Sequence, residues 1–130
     1  MVLLKEGDSL SGGNSSTRSL EDVLRLGKLE RLIMEYFIRH ISAGDIIAVL
    51  DLKEEVKKRA RMGEVDLVSE LDDAFIVKEL YVKLALLVKD GFLEYRNGVY
   101  RLPQWIIDII KSKKGGLYPG VPKSLEELLN

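Results

Sequence analysis

The sequence predicts a mainly α-helical fold with a small β-hairpin and an extra helix at the C-terminal end. Apolar residues recur every three or four positions through several stretches, which is the period of an amphipathic helix. The pair Asn97-Gly98 lies between two short runs of β-forming residues, as in a tight hairpin turn. The chain has 130 residues, which is the length of one ordinary domain.

Three segments are expected along the chain. Residues 1–18 end in a run of Gly, Ser and Asn without an apolar period, so we expect a flexible lead-in. Residues 19–112 are predicted to form the folded domain. Residues 113–130 contain a Gly/Pro linker and then a short amphipathic segment, which either folds back or docks into a groove of another protein. The sequence leaves both alternatives open.

The first helical pattern begins at Ser19, which forms a capping-box-like pair with Asp22. Gly27 interrupts the pattern and is unfavourable inside a helix. We therefore expect a short helix that ends at about residue 26 and a main helix over residues 28–40.

The next elements are predicted to be a short strand and a second helix. Residues 46–49 form a β-branched run, Ile-Ile-Ala-Val, which favours a strand. Asp51 and Glu54 form a plausible capping box, so a helix is expected from Asp51 to about Gly63. The acidic stretch over residues 64–73 is predicted to contain a turn, with a short helix around residues 65–71 as an alternative.

A long helix is predicted over residues 73–90, ending before Gly91. Its apolar residues fall on one arc when they are placed at the helical period. They are Ile76, Val77, Leu80, Tyr81, Leu84, Leu87 and Val88.

The hairpin is predicted over residues 92–102. Asn-Gly tolerates a positive φ at both central positions of a type I′ turn, and β-forming residues flank it on both sides. Pro103 suits the first turn of a last helix that runs to about residue 111.

This order of elements resembles that of the winged helix-turn-helix DNA-binding family. Residues 80–102, LYVKLALLVKDGFLEYRNGVYRL, resemble the third helix and the wing of that family, and the likeness extends over about residues 20–102. The resemblance implies that the third helix enters the major groove of DNA and that the wing contacts the backbone or the minor groove. Many members are instead protein-interaction modules in replication, transcription or degradation assemblies, so the fold alone does not decide the function.

Composition excludes several functions. The chain has 20 Lys and Arg, 21 Asp and Glu, one His and no Cys, which excludes disulfides and Cys- or His-rich metal sites. We expect an intracellular, cytoplasmic protein, because neither a signal peptide nor a membrane-spanning apolar run is present. The single Gln and the three Asn are typical of a thermophile. No catalytic constellation or cofactor motif is present, so we expect neither an enzyme nor a cofactor.

The cations of the second and third helices and of the hairpin are the candidate DNA-binding residues, because they could contact phosphates. An alternative is that the run from Lys57 to Arg61 complements the helix dipole and the acids that follow it. The candidates are Lys57, Lys58, Arg59, Arg61, Lys78, Lys83, Lys89, Arg96 and Arg101.

The candidate partner-binding residues are apolar. In the third helix, Phe75, Val82 and Leu86 lie between charges and suit a protein surface better than a base-reading one. The last helix carries Trp105, Ile106, Ile109 and Ile110 on one face, which either covers the core or forms a homodimer seam.

The function expected from the sequence is that of a small winged-helix protein that binds double-stranded DNA through phosphates, as a transcriptional regulator and a homodimer. The alternative is a winged-helix interaction subunit of a nucleic-acid-processing assembly, which binds protein through the third helix or the C-terminal segment.

Overall fold

A computed structural model describes residues 20–64 and 66–114 of the protein. Within them lie five helices and a small antiparallel sheet, which confirms the predicted fold class. The predicted cap at Ser19, the lead-in and the C-terminal segment from residue 115 onward lie outside the described residues. The elements are α1 (Leu20–Leu24), α2 (Lys28–His40), β1 (Ser42–Gly44), α3 (Asp45–Arg61), α4 (Asp73–Lys89), β2 (Glu94–Arg96), β3 (Val99–Arg101) and α5 (Gln104–Lys114).

Helix α3 begins six residues earlier than predicted. The expected strand at residues 46–49 is wrong, because this run forms the first turns of α3, and Asp51 lies inside the helix rather than at its cap. Gly44 is the N-cap, with an extended backbone. The buried residues of α3 lie at helical spacing, so burial of one helix face overrides the β-propensity of the run. They are Ala48, Val49, Leu52 and Val56.

The stretch between α3 and α4 is irregular. Residues 66–72 form turns and bends, so the alternative of a short helix around residues 65–71 is wrong for the part that the structure describes. Asp72 caps α4 by accepting a hydrogen bond from the backbone N–H of Phe75 at 3.1 Å.

The sheet has the strand order β1-β3-β2, and both pairings are antiparallel. The turn between β2 and β3 has φ values of 54° at Asn97 and 78° at Gly98, so the type I′ hairpin is confirmed. The predicted strand at residues 46–49 is absent from the sheet, and the hairpin instead pairs with β1, with Ala43 opposite Tyr100. We call this hairpin the wing.

The core is formed mainly by one face each of α2, α3 and α4. On α4, Ile76, Leu80, Leu84 and Leu87 are buried as the predicted arc requires. The prediction is wrong for Tyr81, which lies at the edge of the arc and is 40% exposed. Helix α5 closes the core with Ile106 and Ile110. None of the described helices is both long and apolar enough to span a bilayer.

Candidate interaction surfaces

The outer face of α4 is apolar and exposed. Tyr81, Val82 and Leu86 keep 40%, 45% and 42% of their surface accessible, and Ala85 is exposed beside them. This face lies opposite the buried positions because α4 packs through one side only. We call Tyr81, Val82, Ala85 and Leu86 the α4 surface.

The charges around the α4 surface are few. Lys78 and Lys89 are exposed on the same side of the helix, and neither forms an ion pair within the described residues. Helix α4 contains no Arg, Asn or Gln, the residues that most often read base edges. The face suits contact with protein better than contact with a DNA groove.

Lys57 is bound by an acid of the next helix. Its Nζ donates a hydrogen bond to the Asp73 carboxylate at 2.9 Å, and Lys53 lies 3.6 Å from the same carboxylate. The hydrogen bond raises the pKa of Lys57 and lowers that of Asp73. The contact joins the end of α3 to the start of α4, so it has a structural role.

Arg59 is surrounded by three carboxylates. Its guanidinium lies 2.9 Å from Glu55, 3.5 Å from Glu35 and 3.7 Å from Glu64. Burial opposes the charge of Arg59, but the carboxylates outweigh this effect and raise its pKa. Acids of the same protein thus already neutralise the centre of the predicted basic patch.

The remaining DNA-binding candidates lie on α3, α4 and the wing. Lys83 lies 3.6 Å from Glu30, and Arg101 lies 3.5 Å from Glu94. The candidates without an ion pair among residues 20–64 and 66–114 are Lys58, Arg61, Lys78, Lys89 and Arg96.

Two acids of the stretch after α3 form ion pairs with cations of the protein. Asp66 is bound by Lys28, which lowers the Asp66 pKa, and Glu64 faces Arg59. No group of three or more His, Asp or Glu side chains in the described part of the chain could hold a metal ion.

The apolar candidates differ in their exposure. Val82 and Leu86 are open to solvent, whereas Phe75, Trp105 and Ile109 are half-buried. Ile106 and Ile110 are fully buried in the single chain. Two residues of the predicted homodimer seam on α5 therefore pack in the core and cannot contact a partner.

Sequence reasoning missed a second exposed apolar group, at the start of α3. Ile46, Ile47 and Leu50 are 67%, 61% and 49% exposed. They lie next to the wing, because the Asp45 carboxylate accepts a hydrogen bond from the Tyr95 hydroxyl at 3.1 Å. A helical assignment for residues 46–49 would have revealed these positions, since they lie opposite the buried ones.

The start of α3 is joined to the wing by two hydrogen bonds of Asp45, one from the Tyr95 hydroxyl to its carboxylate and one from its backbone N–H to the Gly98 carbonyl. The hydrogen bond to Asp45 raises the pKa of Tyr95, and the nearby Tyr81 hydroxyl adds to the increase. Tyr95 of the wing thus contacts Asp45, at the start of α3.

Comparison with known proteins gives one family. Residues 27–108 match the model of the family described as PolB1 Binding Protein 2. No curated protein and no solved structure matches the chain. The matched range extends from the N-cap of α2 into α5 and therefore includes the sheet and the α4 surface.

This match corrects the assignment to a winged helix-turn-helix DNA-binding family. The expectation of a DNA-binding transcriptional regulator is wrong, because the matching family is one of polymerase-binding proteins. The physical reasons are visible in the structure: four of the nine proposed phosphate-binding cations are in ion pairs within the protein, and the third main helix exposes an apolar face. Neither double-stranded DNA nor a homodimer is supported as the partner.

Proposed function

Because the chain belongs to the PolB1 Binding Protein 2 family, we propose that it is a non-enzymatic interaction subunit that binds the DNA polymerase PolB1. The family match carries this proposal, since its range includes nearly all of the described fold. The proposal agrees with the alternative that the sequence suggested, in which the third helix contacts a protein.

We propose that the α4 surface is the centre of the contact with the polymerase. An interface centre is typically apolar, aromatic-rich and poor in charge, and a rim of polar groups surrounds it. Tyr81, Val82 and Leu86 have this composition, and Lys78 and Lys89 provide two unpaired cations beside them. The matching patch on PolB1 is then apolar with acidic groups at its edge.

The proposal is tested by titrating PolB1 with the wild-type protein and with a Val82→Asp, Leu86→Asp double variant in a calorimeter. Both side chains are exposed, so the variant should fold normally, which circular dichroism would verify. A buried unpaired charge is strongly unfavourable, so we expect the affinity to fall by about a hundredfold or more.

The matched control is Lys111→Asp, a charge change at an exposed position of α5. It should leave the affinity within about twofold of wild type, because surface changes outside an interface have small effects. Binding of PolB1 by the folded double variant at wild-type affinity would refute the α4 surface. Failure of the wild type to bind PolB1 would refute the proposed function itself.

A further inference from the structure

A second candidate site lies between the wing and the start of α5. An open cleft of about 680 Å³ separates strand β2 from the start of α5 and the end of α4. Its apolar wall is formed by Val88, Pro103 and Trp105, and its charged wall carries Arg96 and Arg101. The α4 surface does not contribute to this cleft.

The cleft borders an edge of the sheet. Among residues 20–64 and 66–114, strand β2 pairs only with β3, because the strand order is β1-β3-β2. Its three residues, Glu94, Tyr95 and Arg96, all line the cleft. Successive side chains of a strand point to opposite faces, so contact with all three places the cleft beside the outer edge of β2. Contact with Arg101 of β3 extends the cleft over one face of the sheet.

The edge offers backbone hydrogen-bonding groups. In a two-residue hairpin the pair next to the turn, Arg96 and Val99, exchanges hydrogen bonds, and pairs alternate from there. The next pair, Tyr95 and Tyr100, is therefore a non-hydrogen-bonded one. The N–H and C=O of Tyr95 consequently point away from β3, toward the cleft.

The apolar wall is held rigidly. The Trp105 indole N–H donates a hydrogen bond to the Gly91 carbonyl at 3.0 Å, and the Trp105 ring lies 6.1 Å from the ring of Phe92. The side chain is half-buried, so part of it faces the cleft. A fixed aromatic ring of this kind is a good anchor for an apolar side chain of a ligand.

The charges select the ligand. Arg96 is exposed and has no ion pair within the described residues. Arg101 is half-exposed and forms an ion pair with Glu94. Two guanidinium groups against one carboxylate leave a positive excess along the edge. Guanidinium groups bind carboxylates in bidentate geometry, so acidic groups would be favoured here.

We propose that this cleft binds an extended acidic peptide segment of a protein partner, which adds a strand to the outer edge of β2. The backbone of the peptide pairs with Tyr95, one apolar side chain contacts Trp105, and carboxylates bind Arg96 and Arg101. Strand addition of this kind derives affinity from main-chain hydrogen bonds and specificity from alternate side chains. The site goes beyond the proposed polymerase contact and does not depend on it.

A peptide is favoured over single-stranded nucleic acid by the backbone geometry. Aromatic and arginine side chains also suit stacked bases. The outward N–H and C=O of Tyr95, however, can pair with the C=O and N–H groups that alternate along a peptide strand. A sugar-phosphate chain has no such alternating donors and acceptors.

The test is a selection from a random twelve-residue peptide library against the full-length protein, with Arg96→Glu as the counter-target. We expect enriched peptides in which Asp or Glu alternates with apolar residues. Absence of enrichment over the counter-target, or enrichment of basic peptides, would overturn the proposal.

The enriched peptide is then titrated by fluorescence anisotropy. Arg96→Glu removes one charge-assisted contact and repels the carboxylates of the peptide, so it should weaken binding by about tenfold or more. Arg61→Glu is the matched control, because it makes the same change at the far end of α3 and should bind as wild type does. Equal affinities for all three proteins would refute the site, as would tighter binding of a twelve-residue oligothymidine.

Hydrogen exchange distinguishes strand addition from simple charge attraction. The Tyr95 amide should exchange more slowly in the peptide complex, whereas the Arg96 amide, already directed at β3, should change little. An unchanged Tyr95 amide in a saturated complex would overturn the proposed pairing. Binding of PolB1 is measured separately, so failure here leaves the proposed function intact.

Discussion

The ion pair between Lys57 and Asp73 joins the last turns of α3 to the first turn of α4 across an exposed surface. Its hydrogen bond holds the pKa of Asp73 below the ordinary value. A carboxyl group of this kind stabilises the fold above its unfolded pKa, about 3.9, and this contribution is lost as the pH falls through the lower folded value.

Lys57→Met should therefore raise the pKa of Asp73 toward its ordinary value. Protonation of Asp73 in acid should then lower the free energy of unfolding by less than it does in the wild type. The measurement is a carbon-13 NMR titration of the side-chain carboxyl groups. Lys58→Met is the matched control, since Lys58 has no ion pair among the described residues. An Asp73 pKa that is identical in wild type and Lys57→Met would show that the contact does not persist in solution.

Gly98 supplies the backbone conformation that the wing requires. Its φ of 78° is unfavourable for a residue with a Cβ, while nothing lies within 4 Å of the place where that Cβ would be. The cost of Gly98→Ala is therefore one of backbone strain, and we expect the free energy of unfolding to fall by about 1 kcal/mol.

The control for Gly98 is Gly44→Ala. Gly44 has a φ of −60°, and an added Cβ would meet only the Gly98 carbonyl oxygen, at 3.9 Å. Its substitution should change stability less than Gly98→Ala does, as measured by urea denaturation. The reverse order would contradict the type I′ turn.

Among the elements, α4 shows most clearly what the apolar pattern determines. Leu84 is fully buried, whereas Leu86, two residues further along the same helix, is 42% exposed. Leu84→Ala should lower the free energy of unfolding by about 2 to 5 kcal/mol, because it leaves a cavity in the core.

Leu86→Ala is the matched control for Leu84→Ala. It should change stability by about 0.5 kcal/mol or less, because the side chain is largely solvated. Thermal and urea unfolding of the two variants measure the difference. Equal effects would mean that the helix packs through a different face.

The helices with regular apolar spacing and the Asn-Gly hairpin could be predicted from the sequence, because each depends on local chemistry. The start of α3 could not. Residues 46–49 have high β-propensity, and only the packing of Ala48 and Val49 against the core places them in a helix. This error also concealed Ile46 and Ile47, which are exposed only in the helical assignment.

Only the part of the candidate site that depends on local sequence could be predicted. The apolar exposed positions Val82 and Leu86 follow from the helical period of α4. The pairing of Lys57 with Asp73 and of Arg59 with Glu35 depends on residues far apart in the sequence. Without the tertiary structure, the cations appeared to form a phosphate-binding patch.

For the molecule as a whole, charge and surface favour a protein partner. The formal net charge is −1, and acids of the same protein form ion pairs with several of the cations that DNA binding would require. Most of the large exposed apolar side chains lie on α4, the start of α3 and the wing, and two others, Met62 and Leu71, lie between α3 and α4. An interface of this composition depends less on ionic strength than a phosphate contact does.

The most direct test of the central claim is one salt series in which the full-length protein is titrated separately with PolB1 and with a generic DNA duplex. We predict that PolB1 binds with an affinity that changes little between about 50 and 500 mM salt, whereas the duplex does not bind even at about 50 mM, where the phosphate contribution is strong. Duplex binding that weakens steeply with salt, together with no binding of PolB1, would contradict the account.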